Sequence, residues 1–403
     1  MKLCRLLIAT LTIGQLRAEP LADSASVSGY YTGYLENVLN HSTLYNKSIA
    51  VSDAALIVVD MQNDFVGEFT YSNESIDAKN SPCSVALGGS NMACFGVREG
   101  NDTAVSIASL LRKHTFDVVI ASMDDHSENH CSFSSSAGTT EIPPGCSEAL
   151  SICNEDWTNC IGTNFLKEQN HSLTGLFPPH CVRGSEGALL YRSFFDAFLE
   201  YTHEKHIVQK GLDLTTDSFG VFPYSNETFQ WYNESGLFDS TNGAPAALFR
   251  SSLTWEKRYK TGTGASEYMN VDKLRGSYVQ PPQFTSLDGY KHNDTLLTRA
   301  PVAELVRNVS KVLVTGLALD WCVLDTALNA KAAFPSKDIY IILDSARPSF
   351  LPKQVAVNYL SGNVTLQAEQ CISGEGCWLH APSLIGKLLQ KAGIRLIFSN
   401  QLV

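Results

Sequence analysis

Basic charge is scarce in this 403-residue chain: 30 Lys and Arg stand against 41 Asp and Glu, a formal net charge of −11. The basic residues form no cluster. That argues against a partner held by its phosphates, whether nucleic acid or anionic lipid. Charge of either sign is modest, at 18% of residues, while 44% are hydrophobic. Disordered chains show the opposite balance, so a globular fold is expected. Past the N-terminus no apolar run reaches the roughly 20 residues that span a bilayer. The segment 395–403 is too short for a lipid-anchor signal, and no internal repeat is visible. The length would allow two or three domains at about 100–200 residues each.

What is present begins with a compartment signal. Lys2 and Arg5 precede the apolar run 6–13, and Ala18 offers a small residue for cleavage before Glu19-Pro20. This pattern reads as a secretory signal peptide over 1–18. Asn-x-Ser/Thr sequons occur at Asn40, Asn46, Asn73, Asn101, Asn170, Asn226, Asn233, Asn293, Asn308 and Asn363. Spread along the chain behind a signal peptide, they point to an extracellular N-glycosylated protein with those positions on its surface. Cysteines tend to pair in that compartment, and there are eleven, Cys4 lying in the signal.

Residues 19–52 are polar and read as an extension leading into the fold, which would occupy 53–403. Continuous apolar, β-branched runs at 54–60, 117–122, 206–209, 311–316, 338–343 and 394–398 read as strands buried on both faces, the habit of parallel sheets. Helical patterns lie between them at about 102–113, 192–203, 300–308, 322–333, 352–361 and 382–391. Strand and helix in alternation argue one three-layer α/β/α domain with a parallel sheet of about six strands, too few for a closed eight-stranded barrel. Two stretches break the rhythm, about 134–176 and about 223–290. Loops of that length inside a domain are usually lids, binding loops or insertions.

Open parallel sheets bind ligands at the carboxyl ends of their strands, and reactive residues close four of them here. The first ends in Asp60, the second runs to Asp124 and His126, the third ends in Lys210, and the fourth leads to Cys322 at a helix start. Taken singly, Asp60 could cap a turn, Lys210 could be a solvated strand end, and Cys322 could be a buried apolar thiol. Together they form a base, a cation and a nucleophile. A cysteine at a helix N-terminus beside a lysine is expected to have its pKa lowered from about 8.5. Asp124, His126 and His180, which follows Pro178-Pro179, offer one carboxylate and two imidazoles. That set suits one divalent ion, zinc first, with iron and manganese as alternatives. His130 reads either as a further ligand or partner of the ligands, or as a surface histidine.

Five motifs in order carry a family resemblance: Asp60-Met61-Gln62-Asn63-Asp64-Phe65, Asp124-Asp125-His126, Phe177-Pro178-Pro179-His180-Cys181-Val182, Lys210-Gly211 with Asp217-Ser218-Phe219, and Gly316-Leu317-Ala318-Leu319-Asp320-Trp321-Cys322-Val323. The chain from about 53 to 398 resembles the isochorismatase-like cysteine hydrolases, most closely their nicotinamidase/pyrazinamidase branch. The resemblance implies a Rossmann-like sheet and a catalytic triad of Asp60, Lys210 and Cys322. It also implies metal ligands Asp124, His126 and His180, and an oxyanion hole from the N–H groups of Ala318 and Cys322 beside a cis peptide between Leu317 and Ala318. Phe65, Phe177 and Leu317 match positions that wall the substrate ring, although such side chains are often plain core. The chain departs from the pattern at Asp125, where the family usually has an aromatic residue, and at Phe177, where it has Trp. Small members are about half this length and lack the signal and the insertions.

The implied activity is hydrolysis of nicotinamide to nicotinate and ammonia through a thioester. The partner is then a small molecule, with no nucleic acid and no membrane, and the oligomeric state is open. The alternatives are an amidase acting on another small carboxamide and an inactive secreted binding protein on the same scaffold. With Cys322 reserved as nucleophile, Cys181, beside ligand His180 in the family motif, is expected to stay unpaired. Cys83, Cys94, Cys131, Cys146, Cys153, Cys160, Cys371 and Cys377 remain for bridges, with Cys83–Cys94 and Cys371–Cys377 close enough in sequence to pair locally. At least one of Cys146, Cys153 and Cys160 is expected in a bridge.

Overall fold

The computed structural model describes residues 28–66, 96–126, 180–182, 186–211, 219–237, 267–270, 302–352 and 367–403. The segment 1–18 read as a signal peptide, Phe177, His130, residues 353–361 of a helical pattern and the six cysteines from Cys83 to Cys160 lie outside these residues.

β1 (Ala54–Val59) and β2 (Val118–Asp124) are buried at every position. Alternate strand residues face opposite sides, so both faces of the sheet are covered, which is the three-layer arrangement. β3 (Glu204–Lys210), β4 (Glu267–Asn270), β5 (Lys311–Leu317), β6 (Asp338–Arg347) and β10 (Arg395–Ile397) complete a seven-stranded sheet in the order β10-β6-β5-β1-β2-β3-β4. Six strands are parallel, as the apolar runs imply. β4 is a seventh strand, antiparallel to β3, in a stretch (223–290) whose sequence shows no strand period.

Helices α2 (Asn63–Val66), α3 (Gly100–Lys113), α4 (Arg192–Glu200), α5 (Asn226–Ser235), α6 (Val302–Leu305), α7 (Leu324–Ala333) and α8 (Pro382–Ala392) lie between or beside the strands. In α3 the residues Ala104, Ile107, Ala108 and Leu111 recur at helical spacing and are buried, while Asp102 opens the helix and Arg112 and Lys113 close it. Both charge placements complement the helix dipole. α3 packs on α4, β5 and β6, and α7 packs on β5, β6 and α5.

Residues 19–52, read from the sequence as a polar extension, contain structure of their own. Helix α1 (Gly29–Leu39) buries Tyr30, Tyr31, Tyr34, Leu35 and Val38 and packs on α8. Its Tyr31 hydroxyl donates to the Leu343 carbonyl at 2.7 Å, and the guanidinium of buried Arg347 lies 4.4 Å over the Tyr31 ring. Residues 43–51 then run alongside β10 and the segment after it, through Tyr45 N to Leu396 O at 2.8 Å and Ile49 N to Gln401 O at 2.8 Å. They cover a sheet edge that would otherwise present unpaired backbone groups.

A second, three-stranded sheet of β7 (Phe350–Pro352), β9 (Gly376–Trp378) and β8 (Cys371–Ile372) is antiparallel. The Cys371–Cys377 disulfide closes its β8–β9 hairpin. Among the described residues no helix is long and apolar enough to cross a membrane.

Candidate active site

The chain runs outward from β1 through β2 to β3, then returns to place β5 on the other side of β1. That reversal opens a crevice at the carboxyl ends of β1 and β5. Gly316 makes the approach close: its φ is +113°, and a Cβ there would stand 2.1 Å from the Val59 carbonyl oxygen. After β5 the peptide between Leu317 and Ala318 is cis, and a single π-helical turn (Leu319–Val323) carries Cys322 into α7.

The four strand ends meet as the sequence arrangement implies. The Lys210 Nζ is 2.8 Å from Asp60 Oδ2 and 2.8 Å from Asp124 Oδ1, and 3.6 Å from the Cys322 Sγ. Asp60 and Lys210 are fully buried, and Cys322 nearly so. Asp60 sits in the left-handed region, with φ +48°. Its backbone N–H donates to Ser122 Oγ at 3.2 Å, while its Oδ1 accepts from the same hydroxyl at 2.6 Å.

The electrostatics correct one expectation. Burial pushes the Cys322 thiol well above its usual value, Lys210 opposing and the Asp60 and Asp124 carboxylates adding to the rise. The sequence reading of a thiol lowered by a lysine and a helix start therefore fails. Those cationic influences are outweighed by desolvation and two nearby anions. A thiol so raised would need a base before it could act as a nucleophile. Asp60 fits that role, because burial raises it to about 6 against the pull of Lys210. Burial alone would lower Lys210, but Asp124 and Asp60 hold it well above the usual lysine value. Asp124 is held well below the ordinary carboxylate range: burial would raise it, and Lys210, His126 and His180 overcome that.

Asp124, His126 and His180 form a second cluster, all buried, whose donor atoms lie within 4.8 Å of one another. Asp124 Oδ2 is 3.5 Å from His126 Nε2 and 4.0 Å from His180 Nε2. His126 Nδ1 lies 3.1 Å from the Gly211 carbonyl. A carbonyl only accepts, so Nδ1 donates to it, and Nε2 is the ring atom that faces Asp124. The Lys210 ammonium contacts both buried carboxylates, Asp60 and Asp124, and a divalent cation on Asp124 would add positive charge there. Donor chemistry, convergence and charge all fit one such ion.

Residues without a role in the sequence reading hold this geometry. Buried Gln62 donates from Nε2 to the carbonyls of Asp124 and Ala188, and its Oε1 accepts from Asp124 N, all at 2.8 Å. Asp64 accepts from Cys181 N at 2.7 Å, and the Cys181 carbonyl accepts from His126 N at 3.0 Å. Cys181 is a free, buried cysteine, as is Cys322. The motif contained Gln62 and Asp64, but nothing in the spacing says that their side chains turn back to clamp backbone. Phe65 lies beside the Asp124, His126 and His180 cluster, its ring 5.5 Å from that of His180. Leu317 and Ala318 are buried at the cis peptide.

An open α/β sheet whose crevice holds a buried thiol, a carboxylate base, an ammonium and a carboxylate–imidazole cluster has the equipment of a hydrolase that works through a cysteine. No family model matches the chain, and no curated protein matches it. Among solved structures it is similar to PnC1 from L. infantum in complex with nicotinate, at 19% identity over 88% of this chain and 98% of that one, with a TM-score of 0.41. It is also similar to the yeast nicotinamidase Pnc1p bound to the inhibitor nicotinaldehyde (16% identity, 86% and 99% covered, TM-score 0.40). A third is the Pyrococcus horikoshii pyrazinamidase in complex with zinc (16%, 86% and 99%, TM-score 0.33). Its structural neighbours are thus nicotinamidases and pyrazinamidases of the isochorismatase fold. At such identities and TM-scores, what this chain does has to be read from its own site.

Proposed function

We propose that the protein is a secreted, metal-dependent nicotinamidase, hydrolysing nicotinamide to nicotinate and ammonia through a cysteine thioester. The observation that carries this reading is Lys210, whose one ammonium touches Asp60, Asp124 and Cys322 and so joins the nucleophile and the metal cluster in one crevice.

Asp60 takes the Cys322 proton, and Lys210 stabilises the thiolate as it forms. The thiolate attacks the carboxamide carbon. The N–H groups of Ala318 and Cys322 are the donors proposed for the oxyanion, a contribution of about 2.7–4 kcal/mol per donor in hydrolases of this type. Protonated Asp60 returns its proton to the departing nitrogen, ammonia leaves, and the acyl group stays on sulfur. Asp60 next takes a proton from water, the hydroxide adds to the thioester, and the acid leaves as the thiol is restored. Asp124, His126 and His180 would hold the divalent ion, which would supply Lewis-acid chemistry toward a pyridine nitrogen. Phe65 stands where it can pack against the ring.

Secretion and N-glycosylation belong to the same proposal. They are supported by the leader pattern at 1–18 and by the six described sequon asparagines (Asn40, Asn46, Asn101, Asn226, Asn233 and Asn308), every one of them exposed. The decisive experiment measures ammonia release from nicotinamide by the full chain recovered from a secreting cell, before and after chelation, beside Cys322→Ala. Release that Cys322→Ala abolishes and chelation weakens is expected. A metal-loaded protein that releases none, or a Cys322→Ala variant that still turns over, would overturn the reading. A panel of other carboxamides tests the substrate, and a mobility shift on glycan removal tests the compartment.

A further inference from the structure

A buried polar network lies directly behind the nucleophile, built from residues far apart in sequence. Asp320, two positions before Cys322 in the π-helical turn, is fully buried. Its Oδ1 accepts the Ser349 backbone N–H at 2.8 Å. Its Oδ2 accepts the Ser349 hydroxyl at 2.7 Å and faces His380 Nδ1 at 3.0 Å. Trp321 Nε1 donates to the Ser349 hydroxyl oxygen at 3.0 Å. An indole N–H can only donate, so the directions follow: Trp321 to Ser349, Ser349 to Asp320, and His380 Nδ1–H to Asp320. Trp321 is further held between rings, with Phe219 and His380 both at 4.8 Å and edge-on.

Both outside partners of Asp320 flank strands of the small second sheet. Ser349 immediately precedes β7, and His380 follows β9 by two residues. Phe350 pairs with Trp378 across β7 and β9, which sets the spacing between Ser349 and His380. The Cys371–Cys377 bond then closes the hairpin that carries β9.

We infer that Ser349 and His380 are positioning residues for the nucleophile, holding the Leu319–Val323 turn through Asp320 so that Cys322 stays against Asp60 and Lys210, and that the disulfide-closed sheet keeps those two residues in register. Among the described residues the hydrogen bonds of the network do not reach Asp124, His126 or His180, so its effect is expected on the reaction of the thiol more than on capture of the ring. Misplacement of a reacting atom by about 1 Å can cost on the order of 100-fold in rate. This inference rests on the reading of Cys322 as the nucleophile.

The test compares His380→Leu, His380→Gln, His380→Asn and Ser349→Ala with the double variant Cys371→Ser/Cys377→Ser, all in the full chain. Asn can place an amide N–H where Nδ1–H stands; Leu cannot, and Gln extends past it. Two readouts are taken: kcat and KM with nicotinamide, and the rate at which iodoacetamide alkylates Cys322, located by mass spectrometry. Leu, Gln and Ser349→Ala should lower kcat by about 10–100-fold, leave KM within about threefold, and slow Cys322 alkylation at least tenfold. His380→Asn should restore both to within about threefold, and the disulfide variant should fall between. Unchanged or faster alkylation in folded His380→Leu, or no rescue by Asn over Gln, would overturn the inference. If Leu does not fold, the Asn and Gln pair decides alone. Alkylation needs no substrate, so a wild-type protein inert toward nicotinamide but showing the alkylation pattern would sink the proposed substrate and leave this inference standing.

Discussion

Replacing Gln62 tests how much of the site is held by a single side chain. Its three 2.8 Å hydrogen bonds tie both backbone polar groups of Asp124, and the Ala188 carbonyl, to the end of β1. Gln62→Leu keeps similar bulk and removes all three. Each lost bond costs about 0.5–1.5 kcal/mol, and a buried partner left unsatisfied costs about 1–3 kcal/mol. Some relaxation is expected, so the total should be about 2–5 kcal/mol. Domains have about 5–15 kcal/mol to lose, so Gln62→Leu should still fold. Gln62→Glu should do worse, because a carboxylate oxygen would face two carbonyls and add charge beside Asp60 and Asp124. Guanidinium unfolding followed by tryptophan fluorescence gives the stability. Zinc competition with a coloured chelator gives the affinity, which should fall about 10–100-fold, as when a partner behind a metal ligand is lost. A Gln62→Leu protein within about 0.5 kcal/mol of wild type with unaltered zinc affinity would refute this assignment.

The acid limb of kcat/KM should lie near pH 6: Asp60 is raised to about 6, its base form is lost as pH falls through that value, and activity should then drop about tenfold per pH unit. A pH–rate profile flat down to pH 5 would exclude Asp60 as the base. Gly211→Ala should lose metal before it loses fold, because φ is +71° and the added Cβ would stand 2.7 Å from His126 Cε1 and 2.8 Å from Asp124 Oδ1; metal content after gel filtration at unchanged circular dichroism checks it. Chelation should raise KM for nicotinamide more than for benzamide, which lacks the ring nitrogen, and equal losses for the two amides would assign the ion another task.

The strands were legible because a strand buried on both faces is largely apolar, as Ala54–Val59 and Val312–Val314 are. The site was legible because parallel sheets put reactive groups at strand ends. Helix α1 escaped notice although Tyr30, Tyr31, Tyr34, Leu35 and Val38 recur at helical spacing, since its buried face is largely tyrosine and its flanks are Ser, Gly and Asn. β4 was hidden for another reason: an edge strand takes its pattern from its neighbour more than from its own residues. The direction of the Cys322 shift could not be read from neighbours in sequence, because it depends on burial and on Asp124, a residue brought in by β2. The Asp320–His380 pair spans 60 positions and leaves no local trace.

The place of β1 in the sheet has a bearing on how activity is acquired. Its two partners are of different sequence range: the contact between Asp60 and Ser122 of β2 spans 62 positions, whereas that between Asp53 and Ser310 beside β5 spans 257. Base, ammonium and metal ligands all belong to the early flank, β1-β2-β3, and the thiol arrives with the late flank, β5-β6-β10. Between those events the apolar edge of β1 is open to wrong pairing, and long-range pairing of this kind is slow. The nucleophile therefore joins its base only when the two flanks zip together along β1. A half-assembled chain lacks the Cys322 thiol and the proposed oxyanion donors, so turnover in a refolding experiment should appear with the closing of that seam and not with the earlier growth of helix signal.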